Sequence, residues 1–295
     1  MKNGIFARVR LNFREKLMRW VFAVSALAAI LAVGLILAFL FGNGLPGIAR
    51  IGFADFLLGR NWFPSHNPPS FGILPMIVGS LYVTAGAIIL GVPIGLFTAV
   101  FMAKICPKRL HKILKPITDL LAGIPSVVYG FFGLTVLVPL IRTHFGGSGM
   151  SMLTGAIILG LMILPTVIAV SESALRALPD ELYEGAVALG ASRERAVFGV
   201  LLPAARSGIM ASIVLGIGRA IGETMAISMV AGNQAVLRLP TEFLRGVRTM
   251  TANIVIELGY AEGLHQEALI ATGVVLLVFI LLINLLLSVL RREKR

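Results

Sequence analysis

The chain has 295 residues, with 26 Lys or Arg against 14 Asp or Glu for a formal net charge of +12, yet only 14% of its residues are charged and 57% are hydrophobic. Soluble domains are roughly 25% charged and 45–50% apolar, so this composition, with a mean hydropathy of +0.93, excludes both a water-soluble globule and a basic nucleic-acid-binding domain. The single Cys106 excludes an intramolecular disulfide framework and a cysteine-based zinc cage, which leaves an integral membrane protein.

Six mainly apolar stretches are long enough to cross a membrane as helices, which need about 20 residues for a hydrocarbon core of about 30 Å. Helices are favoured over strands because no alternating ten-residue pattern of a β-barrel is present. The fold class is therefore expected to be all-α with six transmembrane helices. The predicted spans are 20–41, 73–103, 117–140, 151–170, 207–231 and 268–290.

Basic residues are concentrated in alternate loops. Nineteen of the 26 cations fall in the N-terminal segment 1–19, in the loops after the second and fourth spans and in the tail 291–295, whereas the opposite loops hold six. The positive-inside rule therefore predicts that both termini are cytoplasmic, and an even number of spans agrees with that.

The first span is predicted to be a retained signal anchor rather than a cleaved signal peptide. Its 22 uninterrupted apolar residues, 20–41, exceed a signal core of roughly 7–15 residues, and no A-x-A cleavage site follows. The preceding residues 5–19 mix apolar and basic side chains. They fit an interfacial amphipathic helix and a frayed basic tail equally well.

The loop 171–206, which follows the fourth span, contains the signals of a short polar helix. Proline at position 179 suits the first helical position, Asp180 and Glu181 complement the helix dipole, and Gly190 is the expected left-handed stop. The predicted helix has about three turns and is too short to cross a membrane. Its apolar face carries Leu182, Ala186 and Leu189. The pattern leaves open whether this face packs on another chain, or on the membrane surface and the chain's own spans.

The sequence around this helix resembles the signature of ABC-importer permeases, which reads Glu-Ala-Ala, three residues, Gly, nine residues and then aliphatic-x-Leu-Pro. Glu184-Gly185-Ala186, Gly190 and the Val-Leu-Leu-Pro run at 200–203 have this spacing, with glycine in place of the middle alanine. In that family the loop forms a coupling helix that inserts into a groove on the ATP-binding subunit. The resemblance therefore implies a role in ATPase coupling for Glu181, Glu184, Gly185, Ala186 and Gly190.

Four further segments resemble phosphate-specific ABC permeases, and the last of them resembles the C-type subunit in particular. They are 71–75 (FGILP), 121–130 (LAGIPSVVYG), 218–226 (GRAIGETMA) and 248–254 (RTMTANI). The resemblance implies a MetI-like permease core of a type I ABC importer over residues 73–290, located in the bacterial cytoplasmic (inner) membrane.

The same resemblance implies the partners of the chain. They are an A-type phosphate permease subunit, a dimer of ATP-binding subunits and a periplasmic phosphate-binding protein. The chain has no Gly-Lys dipeptide and so no P-loop. We therefore expect no cofactor in this chain, with Mg-ATP bound and hydrolysed by the partner ATPase, and we expect no enzymatic activity of its own.

Arg219 and Glu223 place two charges in the fifth predicted span, near the middle of the membrane. A charge at the bilayer centre costs about 2.5–3.5 kcal/mol on insertion scales. Because the two residues are four apart, we expect them one helical turn apart on one face, beside a packing face of Gly218 and Gly222. The pair either holds span five to another helix or lies in a substrate pathway, where a guanidinium would bind a tetrahedral oxyanion and Glu223 would orient it or limit its affinity. The phosphate-permease resemblance favours the pathway.

The remaining charged residues give weaker signals. Asp119, beside Lys115, is expected to be a helix-start acid at the cytoplasmic end of the third span. Three arginines in the loop after the fifth span are compatible with anion attraction, with contact to a binding protein or with simple solvation; they are Arg238, Arg245 and Arg248. The four histidines are scattered without an i,i+4 pair, so no metal site is predicted.

Taken together, these features predict the permease subunit of an ATP-driven importer of inorganic phosphate. The nearest alternative is an ABC permease for another oxyanion, such as sulfate or molybdate. An ion-driven secondary transporter that uses Arg219 and Glu223 as a proton relay belongs to a different class. A non-transporting scaffold is disfavoured by the cost of the two midplane charges.

Overall fold

The computed structural model describes the backbone of residues 2–292 and the side chains of residues 14–285. The predicted basic tail 291–295 lies almost wholly outside this range. The amphipathic character considered for residues 5–19 also depends mainly on side chains that are not described.

The N-terminal third consists of two long helices joined by a small hairpin. Its elements are α1 (Lys2–Ile51), α2 (Phe53–Leu58), the strands β1 (Trp62–Phe63) and β2 (Ser70–Phe71), and α3 (Leu74–Val100). The strands pair antiparallel with Trp62 opposite Phe71. Helix α1 runs well past both ends of the predicted span 20–41, and a π-helical segment (Phe101–Ile105) extends α3.

The third predicted span, 117–140, is placed too early. Helix α4 (Lys108–Gly123) is a separate, basic and amphipathic helix, and the chain becomes extended at Ile124. The residue before a proline is biased away from the helical conformation, which explains the break before Pro125. The membrane-length stretch consists instead of α5 (Ser126–Phe132), a π-helical segment (Gly133–Leu137) and α6 (Val138–Phe145).

Asp119 is accordingly not a helix-start acid. It is the twelfth residue of α4, and its carboxylate lies 3.2 Å from Lys115 Nζ in an i,i+4 pair. The predicted proximity of Asp119 to Lys115 is confirmed, but the predicted position at the start of a helix is wrong.

The second half of the chain carries two long helices and several short ones. They are α7 (Met152–Arg176), α8 (Asp180–Ala188), α9 (Arg193–Ala196), α10 (Leu202–Ala204), α11 (Arg206–Gly222), α12 (Met225–Val230), α13 (Met250–Glu257) and α14 (Leu264–Arg292). Ser151 caps α7 by accepting a hydrogen bond from Thr154 N at 3.3 Å, a common way to satisfy a free N–H at a helix start. The fifth predicted span, 207–231, is interrupted, because α11 ends at Gly222 and α12 begins only at Met225.

In residues 2–292, five helical stretches have the length and apolarity to cross a membrane. A sixth is obtained if α11 is counted together with the stretch Arg193–Ala204, to which it is bent by 71°. Six spans are the number that the sequence predicted. We call the end of the molecule that carries β1 and β2 the hairpin end, and the opposite end the α8 end.

Helices α3 and α7 form the centre of the molecule, and glycine lets them approach closely. A Cβ atom at Gly86 would lie 2.7 Å from the Ala156 Cβ, and one at Gly91 would lie 2.7 Å from the Gly160 carbonyl oxygen. Small residues at such contacts are typical of packed membrane helices. The core around this contact includes Val83, Ala87, Ile158, Leu159, Met162, Ile163, Ile227 and Val230.

Among its described residues, helix α1 packs on the rest of the chain near its C-terminal end. Gly44 and Gly47 lie against Ala271 and Glu267 of α14, and Arg50 Nη1 is 2.8 Å from Glu267 Oε1. The described side chains from residue 14 to residue 36 are all exposed. Residues 20–36 of α1 thus offer an apolar surface suited to lipid.

Candidate functional site

Arg219 lies in the last turn of α11, three residues before the helix ends. Its Nη1 donates a hydrogen bond of 3.3 Å to the hydroxyl oxygen of Thr166 in α7, and the side chain is half-buried. Among residues 14–285, no carboxylate oxygen lies within 4.0 Å of the guanidinium. Most of its donors therefore remain available to a ligand or to another chain.

Glu223 does not pair with Arg219, and the predicted i,i+4 geometry is wrong. The helix ends at Gly222, and Glu223 has an extended backbone with φ −70° and ψ 127°. The Glu223 Oε1 accepts a hydrogen bond from Ala226 N at 3.1 Å, which satisfies a free N–H at the start of α12. Its carbonyl oxygen accepts one from the Thr251 hydroxyl at 3.1 Å. The carboxylate therefore stabilises the break between α11 and α12 and does not pair with the arginine.

The small-residue face predicted at Gly218 and Gly222 is not packed against another helix within the described side chains, 14–285. A Cβ atom at either position would meet no atom within 4 Å. Gly216 instead contacts α7, where a Cβ atom would lie 3.3 Å from Val167 Cγ2. The face of α11 beside Arg219 is open in the isolated chain.

The helices that follow the two breaks, α5 and α12, pack against each other. A Cβ atom at Gly130 of α5 would lie 2.9 Å from Ala226 Cα and 2.7 Å from Met229 Sδ of α12. The Tyr129 hydroxyl donates a hydrogen bond of 2.9 Å to the Leu121 carbonyl oxygen, across the break between α4 and α5. The breaks at Ile124 and Glu223 therefore belong to one packed region, with Arg219 beside it.

Helix α8 has the predicted start and stop. Pro179 directly precedes its nine residues, with Asp180 and Glu181 in the first turn. Gly190 has φ +90°, a conformation that favours glycine, and its N–H donates to the Val187 carbonyl oxygen at 2.9 Å. The helix has two and a half turns rather than three, because it ends at Ala188.

The residues of the predicted apolar face of α8 are not all buried against the chain. Tyr183 packs on the chain's own apolar cluster at the α8 end, and Ala186 is half-buried. Leu189 is 92% exposed because it follows the last helical residue and leaves the helical spacing, and Leu182 is 39% exposed. Leucines this exposed on a short polar helix have no covering group within the described part of the chain.

Four of the five residues implied in ATPase coupling are exposed on or just after α8, and the fifth, Ala186, is half-buried. Glu181, Glu184, Gly185 and Gly190 are exposed, and a Cβ atom at Gly185 would meet nothing within 4 Å. The helix is tied to the spans at its start, where Asp180 Oδ1 lies 3.2 Å from Lys104 Nζ. Glycine in place of the signature alanine is thus not required by any contact in this chain.

Sequence reasoning missed a buried carboxylate near the α8 end. Glu172 of α7 is 3% exposed, and its Oε1 lies 2.7 Å from His111 Nε2 and 2.8 Å from Arg176 Nε. Lys115 Nζ lies 3.5 Å from the Oε2 atom. Arg176 Nη2 also donates to the Met102 carbonyl oxygen at 2.8 Å. This cluster joins α4, α7 and the end of the α3 stretch, and the i,i+4 spacing of Glu172 and Arg176 was the one signal for it in the sequence.

We expect Glu172→Ala to lower the stability of the chain by about 3 kcal/mol, because removing one partner of a buried charge cluster leaves the others uncompensated. The lower end of the usual range applies since Arg176 is partly exposed. The thermal unfolding midpoint in detergent measures the effect, with the exposed Glu194→Ala as the matched control. Equal midpoints for the two variants would contradict the structural role of the cluster.

The three arginines of the loop after the fifth span have different surroundings. Arg238 is paired with Glu242 at 3.4 Å and Arg245 is exposed. Arg248 is not a solvated loop charge, because its side chain is only 16% exposed and it forms an ion pair with Glu257. Among residues 14–285, no group of three or more His, Cys, Asp or Glu side chains is placed to hold a metal ion.

Comparison with known proteins places these features in a family. Residues 91–295 match the family described as "Binding-protein-dependent transport system inner membrane component". The chain is 42% identical over 279 residues to the probable ABC transporter permease protein YqgH of Bacillus subtilis, which covers 92% of this chain and 90% of the relative. It is 31% identical over 292 residues to the phosphate transport system permease protein PstC of Haemophilus influenzae, covering 92% and 91%.

A third relative is archaeal. The probable phosphate transport system permease protein PstC of Methanocaldococcus jannaschii is 33% identical over 300 residues, covering 92% of this chain and 94% of the relative.

Solved structures support the fold. The inward-facing MetNI methionine ABC transporter has a TM-score of 0.62 at 20% identity, covering 75% of this chain and 95% of that chain. A bacterial alginate ABC transporter, solved in complex with an alginate pentasaccharide-bound periplasmic protein, has a TM-score of 0.62 at 19% identity, covering 90% and 94%.

Proposed function

Because the chain belongs to the family of binding-protein-dependent transport system inner membrane components, we propose that it is the membrane-spanning permease subunit of an ATP-driven importer of inorganic phosphate. Relatives named as PstC phosphate permeases match more than nine-tenths of its length, and the fold is that of ABC importer permeases. We assign the chain to the C-type subunit on this basis. The observation that carries the proposal is the exposed helix α8, whose uncovered leucines and acidic residues require a partner.

The partner of α8 in this proposal is a dimer of ATP-binding subunits. ATP hydrolysis and the Mg-ATP site belong to that dimer, and this chain supplies the docking helix. Movement of α8 would be passed to the spans through Lys104 at the end of the α3 stretch and through Tyr183 in the apolar cluster. Glu181, Glu184, Gly185, Ala186 and Gly190 form or shape the docking surface.

The substrate path is proposed to pass Arg219. A guanidinium presents a rigid fork of donors that suits a tetrahedral oxyanion, and most of the donors of Arg219 have no partner among the described residues. One arginine attracts an anion, and a transit site must also release it. Glu223 lies at the helix break four residues on, where its negative charge orients the anion or limits its affinity.

The open face of α11 at Gly218 and Gly222 is proposed to face the second permease subunit, of the A type, so that the path lies between the two chains. A periplasmic phosphate-binding protein would deliver the anion at the hairpin end. The alginate transporter that shares this fold was solved in complex with a periplasmic protein and is a precedent for such a complex.

We expect both termini and α8 to lie on the cytoplasmic side of the membrane, because the basic residues cluster there. Fusion of a fluorescent protein to the C-terminus should give a bright signal, and fusion of a periplasm-dependent phosphatase should give no activity. The opposite pair of results would invert the assignment of both ends of the molecule.

The identity of the oxyanion is tested by competition. Uptake of labelled phosphate by the complete complex should be reduced by unlabelled phosphate and unchanged by equal concentrations of sulfate or molybdate. Uptake that sulfate or molybdate suppresses as well as phosphate does would favour another oxyanion as the cargo.

A further inference from the structure

Arg248 is a second arginine held inside the fold, at the hairpin end. It lies in the loop between α12 and α13, and its Nε donates to the Asn233 carbonyl oxygen at 3.0 Å. Its Nη1 donates both to Asn253 Oδ1 at 3.0 Å and to Glu257 Oε1. A guanidinium held by three groups in this way has a fixed position in the fold.

The carboxylate of Glu257 does not depend on Arg248 alone. Its Oε2 accepts a hydrogen bond of 2.8 Å from Trp62 Nε1 and lies 2.9 Å from His265 Nε2. In a simple buried ion pair, release of one partner leaves a bare charge, which is costly. Here the carboxylate keeps two neighbours when the guanidinium turns away, so Arg248 can exchange partners at a lower cost.

Two features around Arg248 have no role in a purely structural ion pair. A cavity of about 400 Å³ is lined by both Arg248 and Glu257, together with Ser65 and His66 of the hairpin. Asn253 is fully buried, and its Nδ2 donor has no acceptor among the described residues. An unused buried amide donor normally costs free energy, and beside a guanidinium it is suited to bind an oxyanion.

Two threonine hydroxyl groups link the residue after Arg248 to the helix break at Glu223. The Thr251 hydroxyl donates to the Glu223 carbonyl oxygen at 3.1 Å, and it lies 3.1 Å from the hydroxyl of Thr249. Thr249 directly follows Arg248. These hydroxyl groups connect the backbone next to Arg248 with the helix break at Glu223.

We infer that Arg248 is a second anion-binding arginine, which receives a tetrahedral oxyanion from the cavity at the hairpin end before it reaches Arg219. In the unloaded state the guanidinium is held by Glu257. In the loaded state the anion takes the place of that carboxylate, with the Asn253 amide as an additional donor, and Glu257 stays with Trp62 and His265. This inference rests on the proposed function and adds to it a binding site for the same cargo.

The test measures uptake of labelled phosphate by the complex purified with its partner subunits and returned to lipid vesicles. The variants are Arg248→Gln, Glu257→Gln and the double variant, with Arg238→Gln as the control for loss of an arginine from the same loop. Arg248→Gln should lower uptake at least about tenfold, because hydrogen bonds between charged groups are lost. Arg238→Gln should leave uptake within about twofold.

The double variant separates binding from structure. A residue that serves only as the counter-charge of Glu257 becomes dispensable once Glu257 is neutral, so that role predicts uptake restored to the wild-type rate. Loss of the bonds to Asn233 and Asn253 would instead lower the thermal unfolding midpoint, which is measured on each variant. An anion-binding role predicts that the double variant stays at least about tenfold impaired while it still assembles. Restored uptake in the double variant, or normal uptake by Arg248→Gln, would refute the inference and leave the proposed function intact. A wild-type complex that accumulates no phosphate would instead refute the proposed function.

Arg248→Lys provides a second test where the double variant fails to assemble. It keeps the positive charge opposite Glu257 but replaces the planar fork with a point charge. An anion-binding role predicts uptake lowered at least about fivefold at normal complex yield and with an unchanged thermal unfolding midpoint. A role as the counter-charge of Glu257 alone predicts uptake at the wild-type rate.

Discussion

Replacing Arg219 with leucine is expected to lower phosphate uptake at least about a hundredfold while the complex still assembles. Each hydrogen bond between charged groups contributes about 1.5–3 kcal/mol, and an anion passing this position loses two or more of them. The fold should tolerate the change, because the one hydrogen bond that the guanidinium donates within residues 14–285 is the bond to Thr166. Removal of a midplane charge also lowers the insertion cost by about 2.5–3.5 kcal/mol.

The measurement is uptake of labelled phosphate by vesicles that contain equal amounts of assembled complex. Thr166→Val is the matched control, since it removes the same hydrogen bond and leaves the guanidinium in place. We expect this control to retain uptake within about threefold. Normal uptake by Arg219→Leu would exclude Arg219 from the substrate path.

Placing a charge on the exposed face of α8 is expected to separate ATP hydrolysis from transport. Leu182 and Leu189 are 39% and 92% exposed, and burial in a partner's groove contributes about 1.5–3 kcal/mol for the almost fully exposed Leu189 and less for Leu182. The double variant Leu182→Asp/Leu189→Asp should therefore lose the ATP-binding subunits on purification, or keep them with uptake reduced at least about a hundredfold. The chain itself should fold normally, because neither leucine belongs to its buried core.

The control for this variant is Leu239→Asp, which places the same charge on a 66% exposed leucine in the loop between α12 and α13. Recovery of the ATP-binding subunits and stimulation of ATP hydrolysis by the loaded binding protein are measured on both variants. Unchanged coupling in the α8 variant would mean that the ATPase docks elsewhere.

The sequence predicted the broad architecture because hydrophobicity and turn residues act locally. Apolar length gave the number of spans, and the stop at Gly190 followed from a glycine after a short amphipathic segment. The third span was placed too early because Ile117–Gly123, although apolar, continues the basic helix α4 until the chain becomes extended before Pro125. The signal for that boundary, a residue before proline, was present in the sequence.

The tertiary details of the site were beyond local reasoning. The pairing of Arg219 with Glu223 assumed an unbroken helix, and the break after Gly222 is stabilised by partners from elsewhere, including Thr251. Glu172 contacts His111, 61 residues away, and Arg248 contacts Glu257, 9 residues away. No short-range pattern identifies such contacts, since they depend on how the helices pack.

We infer that this chain conducts phosphate with energy from ATP that its partner subunits hydrolyse. This function is tested by vesicles that contain the complete complex, with ATP enclosed on the side of α8 and labelled phosphate with its binding protein on the other side. We predict accumulation of phosphate that requires the enclosed ATP and persists when a protonophore collapses the ion gradients. Accumulation that proceeds without ATP and stops with the protonophore would contradict the account and identify an ion-driven secondary transporter.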